Sequence, residues 1–307
     1  MYDLIIVGGG PAGTAAAVYA ARKQLKTLFL TTEWGGQSVV SPDIQNWIGT
    51  PSISGEALAK QLKAHVESVA GDILTILAPR KAVKLEHSEG GVSVTDNKGE
   101  VYQGKTAFVA SGSIRKKLAV PGADVYDQKG LTYCASCDGP LYAGADVAVV
   151  GGGNAGFETA AQLLAYAKSV TLFNRTDTFR ADPVTVQKVL SHPNMKALTS
   201  CEPTEIVGEK FVTGVRYKNV KTNEESLLPV TGVFVEIGHI PNTDWVKDAV
   251  TLDEMGRIVT DPRTQRTSNE RVWAAGDCTD AVYHQNNIAT GDAVKAIEHL
   301  YSYLKAR

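Results

Sequence analysis

Two stretches of the chain share one pattern of apolar and polar positions. A short apolar run, Asp3 to Val7 (DLIIV), leads directly into the segment GGGPAG, and a helix of small residues is predicted from Thr14 to Arg22. The pattern returns at Asp146 to Val150 (DVAVV), followed by GGGNAG and a helix predicted to end near Ala167. A continuous apolar run bounded by glycine is typical of a buried parallel strand. The sequence therefore predicts two strand–turn–helix units, each followed by a further strand, at 27–31 and 169–173.

Each unit carries a G-x-G-x-x-G turn between its strand and its helix. A single such motif is a weak signal, but here both copies have the strand before and the helix after that the motif requires. In such turns the glycines permit a tight bend and a close approach of the backbone to a pyrophosphate, which rests on the helix N-terminus. The predicted binding residues are Gly8, Gly10, Pro11, Ala12 and Gly13 in the first copy and Gly151, Gly153, Asn154, Ala155 and Gly156 in the second. Two sites indicate two dinucleotides, one delivering a hydride and one accepting it.

Composition and charge narrow the class of protein. A length of 307 residues favours two domains, and 43% hydrophobic with 21% charged residues is ordinary for a chain with a buried core. Lys and Arg total 31 against 33 Asp and Glu, which gives a net charge of -2 and no whole-chain attraction to nucleic acid or an anionic membrane. The apolar run at the N-terminus is short and lacks a basic leader, and no run reaches the roughly 20 residues of a membrane helix. We expect a cytoplasmic protein with no nucleic-acid or membrane partner.

Cys134 and Cys137 form a C-x-x-C pair in the segment CASCDG, just before the second glycine turn. Such a pair can close a disulfide across one turn, and one thiol can lower the pKa of the other. Half of a zinc site is an alternative, but Cys201 and Cys278 are isolated and the six histidines show no metal spacing, so no metal is predicted. Inert core thiols are a second alternative, which the polar flanks of the motif disfavour. The pattern favours a redox pair.

Several segments resemble the two-dinucleotide-fold flavoproteins. Val272 to Asp277 (VWAAGD) is similar to the second FAD motif of that family, and 107–112 (AFVASG) and 233–238 (VFVEIG) resemble its two crossovers between domains. The resemblance implies an α/β fold of two Rossmann-like three-layer domains. The FAD-binding domain would comprise 1–115 and 242–307, and the NAD(P)-binding domain, 116–241, would be inserted in it and carry the C-x-x-C.

The position of the cysteines separates the branches of this family. The glutathione reductase branch has its redox cysteines after the first FAD motif, where this chain reads GGQSVV (35–40) without a cysteine. The CASCDG segment resembles instead the low-molecular-weight thioredoxin reductases, and CDGPL and GDCT are similar to the flavoprotein subunit of alkyl hydroperoxide reductase, whose additional thioredoxin-like module has no counterpart in these residues. The resemblance implies an FAD-dependent NAD(P)H:protein-disulfide oxidoreductase that forms a homodimer.

The resemblance also implies a mechanism. Electrons would pass from NADPH through FAD to the Cys134–Cys137 disulfide and on to the disulfide of thioredoxin or a similar small protein. Cys137 would lie nearer the flavin, Cys134 would attack the partner disulfide, and Asp138 would act as the general acid, with a helix-start or turn residue as the alternative for Asp138. The nucleotide domain would rotate between half-reactions about the segments 112–118 and 238–243.

Further FAD contacts follow from the resemblance rather than from the glycine pattern. Glu33 is a candidate acceptor for the adenosine ribose hydroxyls, although Thr31 lies closer to the strand end. The family has Arg-Gln-Ala at the pyrimidine edge of the flavin, where this chain has His284-Gln285-Asn286. This segment therefore departs from the family in the residues expected to cover the FAD. The other residues predicted at the flavin are Gly36, Gln37, Asn46, Gly276, Asp277, Gln285 and Asn286.

The second strand of the nucleotide unit indicates which dinucleotide donates the hydride. An NAD site usually has an acidic residue at this strand end, whereas the chain reads FNRTDTFR, with Arg175 and Arg180 matching the first and last arginines of the thioredoxin reductase pattern. A guanidinium suits a 2′-phosphate because it makes paired charge-assisted hydrogen bonds. The departures at Asn174 and Thr176, and glycine at 156, leave NADH or an unusual donor such as reduced ferredoxin open. A solvated surface without a ligand is the alternative for Arg175 and Arg180. The sequence favours NADPH.

Three other functions remain open. One is an NADH-dependent or ferredoxin-dependent reductase of a peroxiredoxin or glutaredoxin-like partner. A second is a dithiol oxidase, in which the same cysteines pass electrons to oxygen. The third is a flavin-holding scaffold or redox sensor without turnover, for which an intact C-x-x-C-D would have no purpose.

Overall fold

The computed structural model of the chain describes residues 1–41 and 43–305. Within these ranges the chain folds into two compact units, one of 1–41, 47–114 and 240–305, the other of 43–46 and 115–239. No helix in the described ranges is long and apolar enough to cross a membrane.

Strands and helices alternate in the first part of each unit, and runs of strands follow. The strands are β1 (Tyr2–Val7), β2 (Thr27–Leu30), β3 (Leu74–Leu77), β4 (Ala82–Ser88), β5 (Gly91–Asp96), β6 (Val101–Val109), β7 (Ser113–Arg115), β8 (Leu131–Thr132), β9 (Asp146–Val150), β10 (Ser169–Asn174), β11 (Met195–Thr199), β12 (Cys201–Gly208), β13 (Val212–Asn219), β14 (Glu225–Pro229), β15 (Gly232–Val235), β16 (His239–Pro241) and β17 (Val272–Ala274). The helices are α1 (Pro11–Arg22), α2 (Gly55–Ala70), α3 (Ala135–Asp138), α4 (Asn154–Leu163), α5 (Pro183–Leu190) and α6 (Asn286–Lys305).

The first unit is built on a sheet of order β3-β2-β1-β6-β5-β4, and β17 also pairs with β6, along Ala107–Val109. Strands β1, β2, β3, β6 and β17 pair in parallel, while β4, β5 and β6 pair antiparallel. Alternate residues of β1 enter different cores: Leu4 and Ile6 pack with α1, α2 and α6, whereas Ile5 and Val7 pack on the opposite face. Each fully buried side chain of this kind contributes about 1.5–3 kcal/mol to folding, which explains the apolar run in the sequence.

The second unit contains a parallel sheet of order β11-β10-β9-β15-β8 and an antiparallel sheet of order β12-β13-β14. One face of the parallel sheet packs on α4, with Val147, Val149 and Phe234 beside Phe157. The opposite face packs on the antiparallel sheet through a separate buried cluster. The predicted class, α/β with two Rossmann-like three-layer units, is confirmed.

The predicted boundaries of three helices differ from the structure. Helix α1 begins at Pro11 rather than Thr14, because proline is favoured at a first helical position, where no N–H partner is needed. Helix α4 ends at Leu163 rather than near Ala167, since the carbonyl of Tyr166 accepts a hydrogen bond from the N–H of Gly144 instead of continuing the helix. The last helix extends beyond the predicted 291–303 at both ends.

Candidate functional site

The first glycine turn lies at the carboxyl end of β1 and opens α1. A Cβ on Gly13 would overlap the carbonyl oxygen of Gly8, so the helix packs on the strand at a distance that only glycine permits. A Cβ on Gly10 would meet the Cα of Gly36, at 3.9 Å, as its nearest described neighbour, so this side of the turn is open. Of the predicted residues, Gly8 and Gly10 lie in this turn, and Pro11, Ala12 and Gly13 form the first turn of α1. An open face beside unpaired helical N–H groups fits a pyrophosphate.

The second glycine turn repeats these features at the end of β9. A Cβ on Gly156 would overlap the carbonyl oxygen of Gly151, and a Cβ on Gly153 would have no described atom within 4 Å. Oδ1 of Asn154 accepts a hydrogen bond from the N–H of Asp182 at 2.8 Å, which ties the start of α4 to the start of α5. Ala155 is exposed beside it. The two turns therefore have the same local architecture, and each fits one dinucleotide.

Gln37 joins two of the segments assigned to the flavin. It lies in a short 3-10 helix from Gly36 to Val40, and its Nε2 donates to Oδ2 of Asp277 at 3.2 Å and to Oγ of Ser113 at 3.1 Å. Asp277 follows Gly276, which has a positive φ of 82° at the end of β17. Gln37 thus joins the segment that follows the first FAD motif to the second FAD motif within the first unit.

The beginning of α6 contacts the same short helix. Oγ of Ser38 donates to Oδ1 of Asn286 at 2.9 Å, and Gln285 immediately precedes this residue. Glu33 is exposed after β2, where its N–H donates to Oγ1 of Thr31. Asn46 lies in the segment 43–46, which groups by its contacts with the second unit and not with the other candidate flavin residues.

The cysteine pair occupies a single helical turn after the edge strand β8. Cys134 precedes the first residue of α3, and the N–H of Asp138 donates to the carbonyl oxygen of Cys134 at 3.0 Å. This turn sets the Cα atoms of Cys134 and Cys137 5.3 Å apart, and the two sulfurs form the predicted disulfide. Nε2 of Gln162, on α4, donates to the carbonyl oxygen of Ala135 at 3.2 Å and anchors the turn to this helix. Both cysteines are partly exposed.

Asp138 is buried next to this disulfide turn. Burial raises the pKa of its carboxyl group, while a hydrogen bond from Thr132 and the charge of Arg115 lower it and the charge of Asp43 raises it; the net shift is upward. Oδ2 accepts from the hydroxyl of Thr132, whereas Oδ1 is buried without a hydrogen-bond partner among the described residues. A carboxyl group that holds its proton above the usual range can act as an acid at this position.

The cysteines and the second glycine turn lie at one edge of one sheet. Strands β8 and β9 flank β15 and run parallel to it, so the disulfide turn and the glycine turn both follow carboxyl ends. Neighbouring strands are about 4.8 Å apart, which places β8 and β9 roughly 10 Å apart. Open α/β sheets bind their ligands beyond the carboxyl ends of the strands, which is where these two turns lie.

Arg175 and Arg180 lie exposed in the loop after β10. The N–H of Arg180 donates to the carbonyl oxygen of Gly152 at 3.0 Å, so the loop is tied to the second glycine turn. Asn174, the last residue of β10, is buried, and its Nδ2 donates to the carbonyl oxygen of Thr176 at 2.7 Å. The side-chain amide of Asn174 therefore holds the loop in place. Both predicted arginines are exposed to a ligand.

One acidic residue of this edge was not predicted as functional. Glu236 directly follows β15, in the segment 233–238, which the sequence pattern marks only as a crossover. The corresponding segment of the first unit, 107–112, has Ala110 at this place. This difference between the two copies, an acid in one and alanine in the other, could have identified Glu236 as a candidate functional residue from the sequence.

Comparisons with known proteins agree with this geometry. Residues 2–297 match the family described as pyridine nucleotide-disulphide oxidoreductase. The chain is 40% identical over 303 residues to the F subunit of alkyl hydroperoxide reductase of Staphylococcus aureus (strain MRSA252), a match that covers 99% of this chain but 59% of that protein. The chain thus spans less than two thirds of the length of this curated relative.

Solved structures give the same result across nearly the whole chain. The crystal structure of thioredoxin reductase from Streptococcus pyogenes MGAS5005 matches with a TM-score of 0.91 and 33% identity, covering 100% of this chain and 99% of that one. Thioredoxin reductase from Giardia duodenalis matches with a TM-score of 0.93 and 31% identity, covering 99% of each chain. The predicted resemblance to both groups is confirmed.

Proposed function

Because this chain belongs to the pyridine nucleotide-disulphide oxidoreductase family, we propose that it reduces the disulfide of a small redox protein with electrons from NADPH. The observation that carries the proposal is the Cys134–Cys137 disulfide, which lies beside a buried acid at the same sheet edge as the second glycine turn. The thioredoxin reductase-like fold and the predicted cofactors, FAD and NAD(P)H, are consistent with this family.

FAD supplies the two-electron relay between the pyridine nucleotide and the disulfide. The first unit would hold it, since the open turn at Gly10 and Gly36 fits its pyrophosphate. Asp277 would accept hydrogen bonds from ribitol hydroxyls, and its hydrogen bond from Gln37 fixes the carboxylate for that role. Asn286, held by Ser38, would position the start of α6 at the flavin.

The chain's own residues then transfer the electrons to the partner. The Cys134 thiolate attacks one sulfur of the partner disulfide and forms a mixed disulfide, and the partner's other sulfur leaves as a thiolate. Cys137 attacks the Cys134 sulfur, which closes the internal disulfide again and releases the partner as a dithiol. Oδ1 of Asp138 would give its proton to a departing thiolate, because this buried atom has no partner among the described residues.

The loop after β10 supports NADPH as the donor. Arg175 and Arg180 are exposed there and can bind a 2′-phosphate. The acid of this loop, Asp177, accepts from Nζ of Lys221 at 2.9 Å, and this ion pair offsets its charge. The buried residue at the strand end, Asn174, carries no charge to repel a phosphate.

Two classes of partner are supported by different relatives. The solved structures are thioredoxin reductases, which favour thioredoxin or a similar small disulfide protein. The 40% identity to the F subunit of alkyl hydroperoxide reductase favours, as a second candidate, a redox protein that serves a peroxide-reducing enzyme. A homodimeric, cytoplasmic protein remains part of the proposal.

Anaerobic titration tests the function directly. The FAD-loaded protein is titrated with NADPH or NADH while its yellow absorbance is followed, and oxidised thioredoxins, glutaredoxins and peroxiredoxins are then added. We expect NADPH to bleach the protein and one partner class to restore the colour. In Cys134→Ser and Cys137→Ser, NADPH should still bleach the flavin, but the partner should not be reduced.

Several results would overturn the proposal. They are a colourless protein that takes up no FAD, serine variants with unchanged turnover, or a tenfold preference for NADH over NADPH. Peroxide formation from a small dithiol without nucleotide would favour a dithiol oxidase instead.

A further inference from the structure

Strand order in the second unit marks a crevice. From β9 the chain continues to β10 and β11 on one side, whereas β15 lies on the other side of β9. Dinucleotides bind across the carboxyl ends of the strands at such a reversal of strand order. The second glycine turn forms one wall of this crevice, and Glu236, at the end of β15, lies on the other.

Main-chain and side-chain contacts fix the position of Glu236. Its N–H donates to the carbonyl oxygen of Val150 at 2.8 Å, and its own carbonyl oxygen lies so close to Gly151 that a Cβ there would overlap it. Oε1 accepts a hydrogen bond from Oγ1 of Thr159 at 2.9 Å. Because Thr159 belongs to α4, the carboxyl group is held along the helix that begins at the glycine turn.

The first unit shows that the fold does not require an acid here. The N–H of Ala110 donates to the carbonyl oxygen of Val7 at 2.8 Å, and a Cβ on Gly8 would overlap the carbonyl oxygen of Ala110. Ala110 thus has the same main-chain environment as Glu236. The second unit therefore carries a carboxyl group at a position where the main-chain packing is equally compatible with alanine.

The charged groups facing Glu236 come from two elements. Arg115 of β7 and the hydroxyl of Thr159 lower the pKa of the carboxyl group and Glu158 of α4 raises it, but burial is the largest effect and brings the pKa to about 7. An ionised carboxyl group would repel a bound pyrophosphate, whereas a protonated one would not and could donate a hydrogen bond.

We propose that Glu236 links dinucleotide binding at the second glycine turn to uptake of one proton by its carboxyl group. Above pH 7, where the carboxyl group of the free protein is mostly ionised, the protein, a proton and the dinucleotide combine into a complex in which this group is neutral. Affinity for the dinucleotide therefore falls as the pH rises above neutrality. The inference rests on the proposed function in one respect, that a dinucleotide binds at this turn.

Calorimetric titration of the FAD-loaded full chain with NADP⁺ tests the inference without catalysis. Measurements run from pH 7 to 8.5, where the 2′-phosphate is already ionised, since its second pKa is about 6. Two buffers of different ionisation enthalpy report the protons taken up. We expect the Kd of the unaltered protein to rise at least about threefold over this range, with net proton uptake, as linkage to one group requires.

Variants distinguish protonation of Glu236 from the effect of other charges near the turn on the Kd. Glu236→Gln and Glu236→Ala, which reproduces the first unit, should bind NADP⁺ with a Kd that does not change over this range. Glu158→Gln removes a neighbouring exposed charge and should keep the rise in Kd. A Kd that is independent of pH in the unaltered protein, or an equal rise in Kd in Glu236→Gln, would overturn this inference but leave the proposed function standing.

Failure of the proposed function would give a different result. If neither NADP⁺ nor NAD⁺ binds at any pH, the second glycine turn is not a dinucleotide site and the proposed function fails as well. If the Glu236 variants do not fold, the proton uptake of the unaltered protein still decides the question.

Discussion

The hydroxyl of Thr132 donates a hydrogen bond to Oδ2 of Asp138, and both residues are buried, with 2% and 6% of their surface exposed. Since one carboxyl oxygen is already engaged as an acceptor, the proton of a neutral Asp138 belongs on Oδ1. That atom has no hydrogen-bond partner among the described residues. The arrangement keeps a proton at the atom that can still give it away.

Replacement of Asp138 by asparagine should slow partner reduction by about 10²–10⁴-fold, the range expected for loss of a general acid. The pKa of Asp138 is raised by burial, so in the unaltered protein the rate should fall as the pH rises through that elevated pKa. Asp138→Asn should lack this dependence. Stopped-flow measurement across pH checks it, with the exposed Asp124→Asn as the matched control. Equal pH profiles for Asp138→Asn and the unaltered protein would contradict the role.

Loss of Arg175 or Arg180 should weaken NADPH binding by about tenfold each, since one charge-assisted contact to a phosphate is worth about 1.5 kcal/mol. The KM for NADH should stay nearly unchanged, because NADH lacks the 2′-phosphate. Steady-state rates of Arg175→Ala and Arg180→Ala with both nucleotides measure the difference. Lys210→Ala, an exposed cation on the turn between β12 and β13, is the control. Equal losses with NADH would argue for a structural role of the arginines.

The indole N–H of Trp273 donates to Nδ1 of His299 at 3.0 Å, and Trp273 is fully buried. His299→Leu would leave this donor unsatisfied in the core of the first unit, so we expect the free energy of unfolding to fall by about 1–3 kcal/mol. Urea denaturation followed by tryptophan fluorescence measures the change. The exposed His65→Leu should have little effect, and equal midpoints for the two variants would show that the hydrogen bond adds no net stability.

Glu236 should make the second unit less stable at alkaline pH. Because its folded-state pKa is raised from 4.5 to about 7, the folded state holds the proton more tightly than the unfolded chain does. Its contribution to stability is therefore complete below about 4.5 and is lost as the pH rises through about 7. Without nucleotide, Glu236→Gln should raise the thermal midpoint by a few degrees at pH 8 and hardly at pH 5. A shift of the same size at both pH values would contradict a titrating carboxyl group.

The predicted rotation has its own test. Gly112 and Gly238, in the predicted hinge segments, have positive φ values of 64° and 104°. A covalent cross-link between the two units should leave one half-reaction, bleaching by NADPH or recovery by the partner, and abolish the other. A cross-link within one unit is the control. Unchanged turnover of the protein cross-linked between units would exclude rotation.

The dinucleotide turns were predictable because local physics alone determines them. An apolar run, a glycine turn and a small-residue helix are read from adjacent positions, and the contact of Gly13 with Gly8 shows why the third glycine cannot be another residue. The disulfide was predictable for the same reason, since the spacing of Cys134 and Cys137 fits one helical turn.

Other features depend on contacts that are distant in sequence. Strands β12, β13 and β14 are not among the elements expected from the sequence, since they are only partly buried and lack a clean alternation of buried and exposed residues. Glu236 could be placed beside Thr159 only once β15 was known to lie next to β9. The burial that raises the pKa of Asp138 is likewise a property of the folded unit and not of its neighbours in the chain.

Because the other two cysteines are buried, alkylation of the native protein can report the oxidation state of the Cys134–Cys137 pair alone. Cys201 and Cys278 are buried, and burial raises the pKa of both thiols, that of Cys278 to about 11. Thiols that stay protonated and shielded react slowly with alkylating reagents, whereas Cys134 and Cys137 reach solvent. The mass of the native protein after brief alkylation would therefore register two adducts when the pair is open and none when it is closed, a stoichiometric record of electrons stored on sulfur.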